Sequence, residues 1–250
     1  MIGAGNVATH ISRHLHSAGH KIECIFSRSR ESADSLAAEV GSMATSDPDK
    51  LPRKANFYII CVPDQAVAEV AARFQGWKGI WLHTAASVSV EVFYGITDEF
   101  GVLYPLQTLS RDRKIRKGQI PFLVEGSSSV VLEKIIDLAL SISGRVEEAG
   151  FQSRLKVHLA AVFANNFSNH MVHIAQQILE AARCNPSMLG PLLEETFQKL
   201  KDLDAQGAQT GPAIRGDRET MNKHRELLKD HPEWEKLYTF ISREIERSRE

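Results

Sequence analysis

The sequence predicts an α/β domain built on a mostly parallel sheet, followed by an all-α domain. Three observations carry that prediction. From residue 1 to residue 150, short apolar runs alternate with amphipathic stretches, the pattern of strands joined by crossover helices. A glycine turn, Gly3-Ala4-Gly5, links the first apolar residues to the first amphipathic stretch. Beyond Gly150 the strand-type runs stop and only helical periodicity continues. The expected domains are therefore 1–150 and 151–250.

Each element has a local reason. Met1 and Ile2 read as the end of a strand, and Asn6 to Ala18 as a helix with Val7, Ile11 and Leu15 on one face and Gly19 as its stop. Ile22 to Phe26 is a strand, Arg30 to Val40 a helix ended by Gly41, and Met43 to Thr45 a short strand. Asn56 to Val62 is a continuous apolar run closed by Pro63, which suits a strand buried on both faces. Gln65 to Phe74 is helical; Gly79 to His83, Gly101 to Tyr104 and Ile120 to Glu125 are strands. Ser128 to Ile142 is a helix, and Gly144 to Glu147 closes the sheet. The second domain begins with one long apolar-periodic helix, Gln152 to Arg183. Helices over Pro186 to Leu203, Asp217 to Lys229 and Pro232 to Arg247 follow, with Asp217 and Asp230 as expected N-caps and Asp204 to Gly216 as a loop. Only two residues precede Gly3, fewer than the five or so usual for such a strand, so the native start is expected upstream of Met1.

Composition excludes several classes. A formal net charge of −1 over 250 residues argues against a general nucleic-acid or anionic-membrane binder. No apolar run reaches the length of a membrane span, and no signal-type segment opens the chain. Cys24, Cys61 and Cys184 are too scattered for a disulfide framework or a zinc site, and a reducing cytoplasm is the expected location. The pairs His10/His14 and His170/His173 have helical metal-ligand spacing but lack an evident third ligand, so no metal is expected.

The chemistry-bearing motif is Gly3-Ala4-Gly5-Asn6-Val7-Ala8, the GxGxxA form of a dinucleotide-binding turn. Gly3 permits the turn, Gly5 allows a pyrophosphate to approach the backbone, and Ala8 allows close helix–strand packing. Free N–H groups at the helix start then face the phosphate. At the end of the second strand an acid would hold an NAD ribose. This chain has Ser27-Arg28-Ser29-Arg30 instead, which suits a ribose 2′-phosphate and therefore NADP. FAD and S-adenosylmethionine fit less well, because their folds also want the acid. Cys61, Val62 and Pro63 close the strand ending at Val62, and Thr84 and Ala85 follow His83; both stretches belong at the binding crevice. His83 reads as a core histidine, and Ser87 as a helix cap or a ligand.

Together with His83-Thr84-Ala85-Ala86-Ser87 and Tyr104-Pro105-Leu106-Gln107-Thr108, the glycine turn resembles the NADP oxidoreductases that pair a Rossmann-like domain with a helical C-terminal domain of unknown function. His158-Leu159-Ala160-Ala161-Val162-Phe163-Ala164-Asn165-Asn166-Phe167 and Thr210-Gly211-Pro212-Ala213-Ile214-Arg215-Gly216-Asp217 extend the resemblance over nearly the whole chain. The family's wider relatives include deazaflavin-dependent NADP reductases, pyrroline-5-carboxylate reductase and 6-phosphogluconate-type dehydrogenases. The resemblance implies nicotinamide hydride chemistry and a homodimer. Tyr104 stands where the pattern commonly has histidine, and Ala86 where it has glycine.

The expected catalytic residues are His158, as general acid, with Asn165 and Asn166 orienting a carbonyl, hydroxy or imine group; spacings of seven and eight put them on one face of an unbroken helix. Relatives use a lysine and an asparagine one turn apart here, a spacing that Lys156 does not share. Ser87, Gln107 and Arg215 are expected to bind a small-molecule substrate, Arg215 by clamping a carboxylate or phosphate unless it merely braces a turn with Asp217. The alternative function is a non-catalytic NADP-binding regulator that dimerises through its helical domain.

Overall fold

The computed structural model describes residues 1–248 and divides into two compact units, Met1–Asn165 and Asn166–Glu250. The first unit holds β1 (Cys24–Phe26), β2 (Met43–Thr45), β3 (Phe57–Ile60), β4 (Ile80–His83), β5 (Phe100–Pro105), β6 (Phe122–Gly126) and β7 (Val146–Glu148). It also holds α1 (Asn6–Ser17), α2 (Arg30–Val40), α3 (Val67–Arg73), α4 (Ser129–Leu140) and α5 (Phe151–Ala161). Strands β2 and β1 pair in parallel, and β3 to β7 run side by side with every pairing parallel except β5 with β6.

Ile2 joins the two sets. It bridges Phe26 on one side and Ile60 on the other, both in parallel sense. Its N–H donates to the Ile59 carbonyl at 2.8 Å, and its own carbonyl accepts from Cys61 at 2.7 Å. The chain thus leaves the middle of the sheet at Gly3, goes to one side through β1 and to the other through β3. That reversal is the place where open α/β sheets bind ligands, outside the carboxyl ends of the strands.

The strand predicted over 56–62 shortens at both ends and those predicted from Ile22, Gly79, Ile120 and Gly144 start later, while the one over 101–104 extends to Phe100–Pro105. The predicted helix from Gln65 becomes a 3-10 turn (Asp64–Ala66) leading into α3. The antiparallel β5–β6 pair was not legible in the apolar pattern, because a buried run does not state its direction. Gly41 stops α2 where expected, with φ +63°, and Ser29, read from the sequence only as a phosphate ligand, also caps its start by accepting from the Ser32 N–H. The core lies on both faces of the sheet. Ile11 and Leu15 of α1 pack with Ile25, Ile59, Leu82 and Ile135 on one side. On the other, Trp81 stacks on Tyr58 and Phe74, with Trp77 edge-on.

The second unit holds α6 (Ser168–Ala181), α7 (Leu189–Asp202), the short α8 (Pro212–Arg215), α9 (Arg218–Leu227) and α10 (Pro232–Arg247). A π-helical turn, Val162–Phe167, lies between α5 and α6. Asp217 caps α9 as predicted, accepting from Thr220 N–H at 3.1 Å. Asp230 does not cap α10; the cap position falls on His231, whose side chain makes no cap bond but stacks on Trp234 at 4.2 Å. The predicted loop from Asp204 to Gly216 contains α8, started by Pro212. Among the described residues of this unit only Ile174 and Ala213 are buried.

Candidate functional site

The glycine turn separates two kinds of glycine requirement. Gly3 adopts φ +115°, and a Cβ placed there would sit 2.1 Å from the Cys61 carbonyl oxygen. Its role is to let two strands and a turn crowd together. A Cβ on Gly5 would meet nothing within 4 Å. Gly5 is the N-cap of α1, whose first turn has no side-chain cap and no acidic residue. Exposed Gly5 and Asn6 and half-buried Val7 therefore present uncapped N–H groups around an open cradle, as a diphosphate requires. Ala4 is buried, and its carbonyl accepts from the Arg111 guanidinium.

Arg111 escaped sequence reasoning because its loop follows β5, far along the chain. The loop is tied down along α1: His10 Nε2 donates to the Ser110 carbonyl at 2.9 Å, His14 Nε2 to the Ile115 carbonyl at 3.0 Å, and Arg13 to the Arg111 carbonyl at 2.9 Å. Both histidines are buried on these carbonyls. Among the described residues no group of three or more histidine, cysteine or acidic side chains is arranged to hold a metal.

At the end of β1, Ser27, Arg28, Ser29 and Arg30 lie at the surface. Arg30 pairs with Asp34 at 2.8 Å, and the Ser29 hydroxyl is engaged as a helix cap. Arg28 is exposed and makes no ion pair among the described residues. At the end of β3, Cys61 is buried beneath Gly3, and burial pushes its thiol up to about 12, so it is no nucleophile. Val62 and Pro63 lead outward to exposed Asp64.

Beyond β4, the buried Thr84 hydroxyl donates to the Ile60 carbonyl at 3.3 Å, and the Ala85 N–H donates to His83 Nδ1 at 3.2 Å. His83 is fully buried against Phe93; burial first, then the nearby Arg154 charge, lower its pKa to about 3. It is a neutral core histidine, as expected. Ser87 does not cap a helix: Ser89 caps the following 3-10 turn, and the Ser87 hydroxyl donates to the Asp64 carboxylate.

The second polar pair joins β5 to α5. The hydroxyl of buried Tyr104 lies 3.0 Å from His158 Nδ1. Burial, then the Asp64 charge, raise the phenol above its ordinary value, so it stays protonated. Arg154, one turn before His158, is completely buried and binds Glu125 at 2.5 Å. Exposed Gln107 braces its own loop, its carbonyl oxygen accepting from Thr108 N–H at 2.9 Å.

Asn165 and Asn166 are exposed within the π turn. The spacings of seven and eight assumed an unbroken α-helix; a π turn adds a residue to the local repeat and shifts that register. Arg215 is exposed in the second unit, where Asp217 is engaged by Thr220. Structure thus brings Ser87 together with Asp64, and His158 with Tyr104. A cavity of about 700 Å³ opens at the amino ends of the strands beside Met1, Glu23, Asn56 and Gly79, opposite the glycine turn.

Two family models match: "NADP oxidoreductase coenzyme F420-dependent" over residues 1–82 and "Domain of unknown function (DUF2520)" over residues 120–245. No curated protein sequence matches the chain. Among solved structures, the "putative NADP oxidoreductase BF3122" of Bacteroides fragilis is 36% identical, with a TM-score of 0.92 over 98% of this chain and 96% of its own. A pyrroline-5-carboxylate reductase from Coxiella burnetii is 13% identical, with a TM-score of 0.60 over 98% and 96%. A reductive aminase from Aspergillus terreus, solved with NADPH and ethyl-5-oxohexanoate, is 16% identical, with a TM-score of 0.65 over 80% and 72%. The last two share the fold. The first is close over nearly all of both chains, and with it the chain belongs to the NADP oxidoreductase family that joins a Rossmann-like domain to a DUF2520 domain.

Proposed function

We propose that the protein is an NADP-dependent oxidoreductase of a small carbonyl, hydroxy or imine substrate. The observation that carries the reading is the contrast within the glycine turn: Gly3 is filled in by the sheet, whereas Gly5 opens onto empty space at an uncapped helix start. Gly3, Ala4, Gly5, Asn6 and Val7 would hold the diphosphate, with Arg111 adding positive charge at the turn. Arg28, with Ser27 and Ser29, would meet the 2′-phosphate. Cys61, Val62, Pro63, Thr84 and Ala85 would form the floor toward the nicotinamide. The bound nucleotide supplies the hydride chemistry. With the Tyr104 hydroxyl donating a hydrogen bond to His158 Nδ1, the imidazole would carry its proton at Nε2, for a substrate oxygen or nitrogen. Ser87, Gln107 and Asn165 are further polar groups for the substrate. On the second unit, the Asn166 amide and the Arg215 guanidinium are proposed as substrate-binding groups in their own right, both being exposed.

Oligomeric state belongs to the same reading. A unit with only Ile174 and Ala213 buried among its described residues lacks the core that an independent helical domain needs. Leu155, Leu159, Ile178, Leu192, Leu200 and Leu203 are exposed in the single chain. A second copy covering them makes a homodimer.

The nucleotide assignment is tested by thermal shift, since a ligand of the native state raises its apparent stability. NADPH is expected to raise Tm more than NADH at equal concentration. Arg28→Ala is expected to weaken NADPH about 10- to 100-fold, the worth of one charge-assisted contact, while sparing NADH. No response to either nucleotide overturns the proposal.

A further inference from the structure

We propose that Arg154 is a positioning residue that sets the place of Ser87 and ties it to the helix carrying His158. The inference rests on the reading above that Ser87 belongs to the substrate site. Arg154 Nε donates to the Ala86 carbonyl at 3.3 Å, and Nη2 donates to the Val88 carbonyl at 2.6 Å. These two carbonyls bracket Ser87. Nη1 is held by Glu125 on β6 at 2.5 Å, so the guanidinium plane is anchored to the sheet on its far side. A planar fork that grips the carbonyls before and after one residue fixes that residue's backbone. The Ser87 hydroxyl is free of capping duty and meets the Asp64 carboxylate instead.

A bare need for stability does not account for this choice. Burying a guanidinium carries a desolvation cost, and apolar side chains of similar volume commonly serve a core as well. The arrangement gains geometry. Arg154 and His158 are four residues apart on α5 and share a helix face. One element therefore holds the β4 loop through Arg154 and meets Tyr104 of β5 through His158. The two polar pairs, Ser87–Asp64 and Tyr104–His158, are set in one frame.

A thiol placed at position 87 reads the arrangement without nucleotide or turnover. Ser87→Cys is made with Cys184→Ser, which removes the exposed native thiol; Cys24 and Cys61 are buried. The alkylation rate by iodoacetamide is then followed against pH. The thiolate reacts, and a neighbouring carboxylate disfavours it. Asp64→Asn is therefore expected to speed alkylation at neutral pH about 3- to 10-fold and to shift the profile toward lower pH. Arg154→Lys, which keeps the charge and loses the fork, is expected to give a similar gain, to which Asp64→Asn adds little. Should Arg154→Lys not fold, Arg154→Met with Glu125→Gln removes the buried pair together and is expected to behave likewise. An alkylation profile unchanged by loss of the fork, or one indifferent to Asp64, overturns the proposal. NADPH titration of the same proteins separates the two readings: failure to bind in all of them defeats the nucleotide assignment and leaves the thiol result standing.

Discussion

At the scale of single residues, Gly3 and Gly5 answer to different forces. Gly3→Ala forces a side chain into a left-handed backbone and against the Cys61 carbonyl. The expected loss is about 3 kcal/mol or more, seen as a lowered urea midpoint. Gly5→Ala is expected to leave that midpoint within about 1 kcal/mol and to weaken NADPH binding at least tenfold, because its methyl enters the cradle. His83 gives a second residue-scale test. Its folded pKa, about 3, lies below the ordinary 6.5, so the unfolded chain binds more protons between those values. This contribution to stability is complete above pH 6.5 and drains away as pH falls toward 3, at up to about 1.4 kcal/mol per unit. His83→Asn keeps an acceptor for the Ala85 N–H and removes the titration. Urea midpoints measured from pH 4 to 7 are expected to flatten in that variant.

At the scale of elements, the sheet was legible because its signals are local. Apolar runs, glycine stops and the turn at Gly3 state their structure within a few residues, and the strands, α1, α2 and α4 follow. Asp217 was readable as a cap by the same logic. What escaped reading depends on partners distant in sequence. Arg111 reaches Ala4 across a loop fastened by His10 and His14, and nothing near residue 111 announces that contact. Tyr104 and His158 meet only because β5 passes beside α5. Asp64 stands in the motif that closes β3, yet its tie to Ser87 needs the parallel register of β3 and β4. The π turn gives no compositional warning, and it displaced the register assumed for Asn165 and Asn166. Arg154 was hidden most deeply: an arginine in a helical pattern reads as solvated, and only packing shows it to be fully buried.

On the scale of the whole molecule, the units differ in self-sufficiency. The sheet unit closes a core on both faces, while the helical unit leaves leucines at the surface of the lone chain. Sedimentation equilibrium is expected to show a dimer at micromolar concentration, and Leu192→Glu to shift it toward monomer with a lower, concentration-dependent Tm. A monomeric wild-type protein removes the dimer proposal. Among the described residues no helix is long and apolar enough to cross a membrane, so these leucines do not belong to a spanning helix. The placement of the indoles then has a practical bearing on such measurements. Trp81, only 1% exposed in its aromatic stack, belongs with Trp77 to the sheet unit, whereas half-buried Trp234 lies flat on His231 in the other. Intrinsic fluorescence therefore has a shielded, blue-shifted source and a quencher-accessible one, and melting of either unit carries its own optical signature without any added dye.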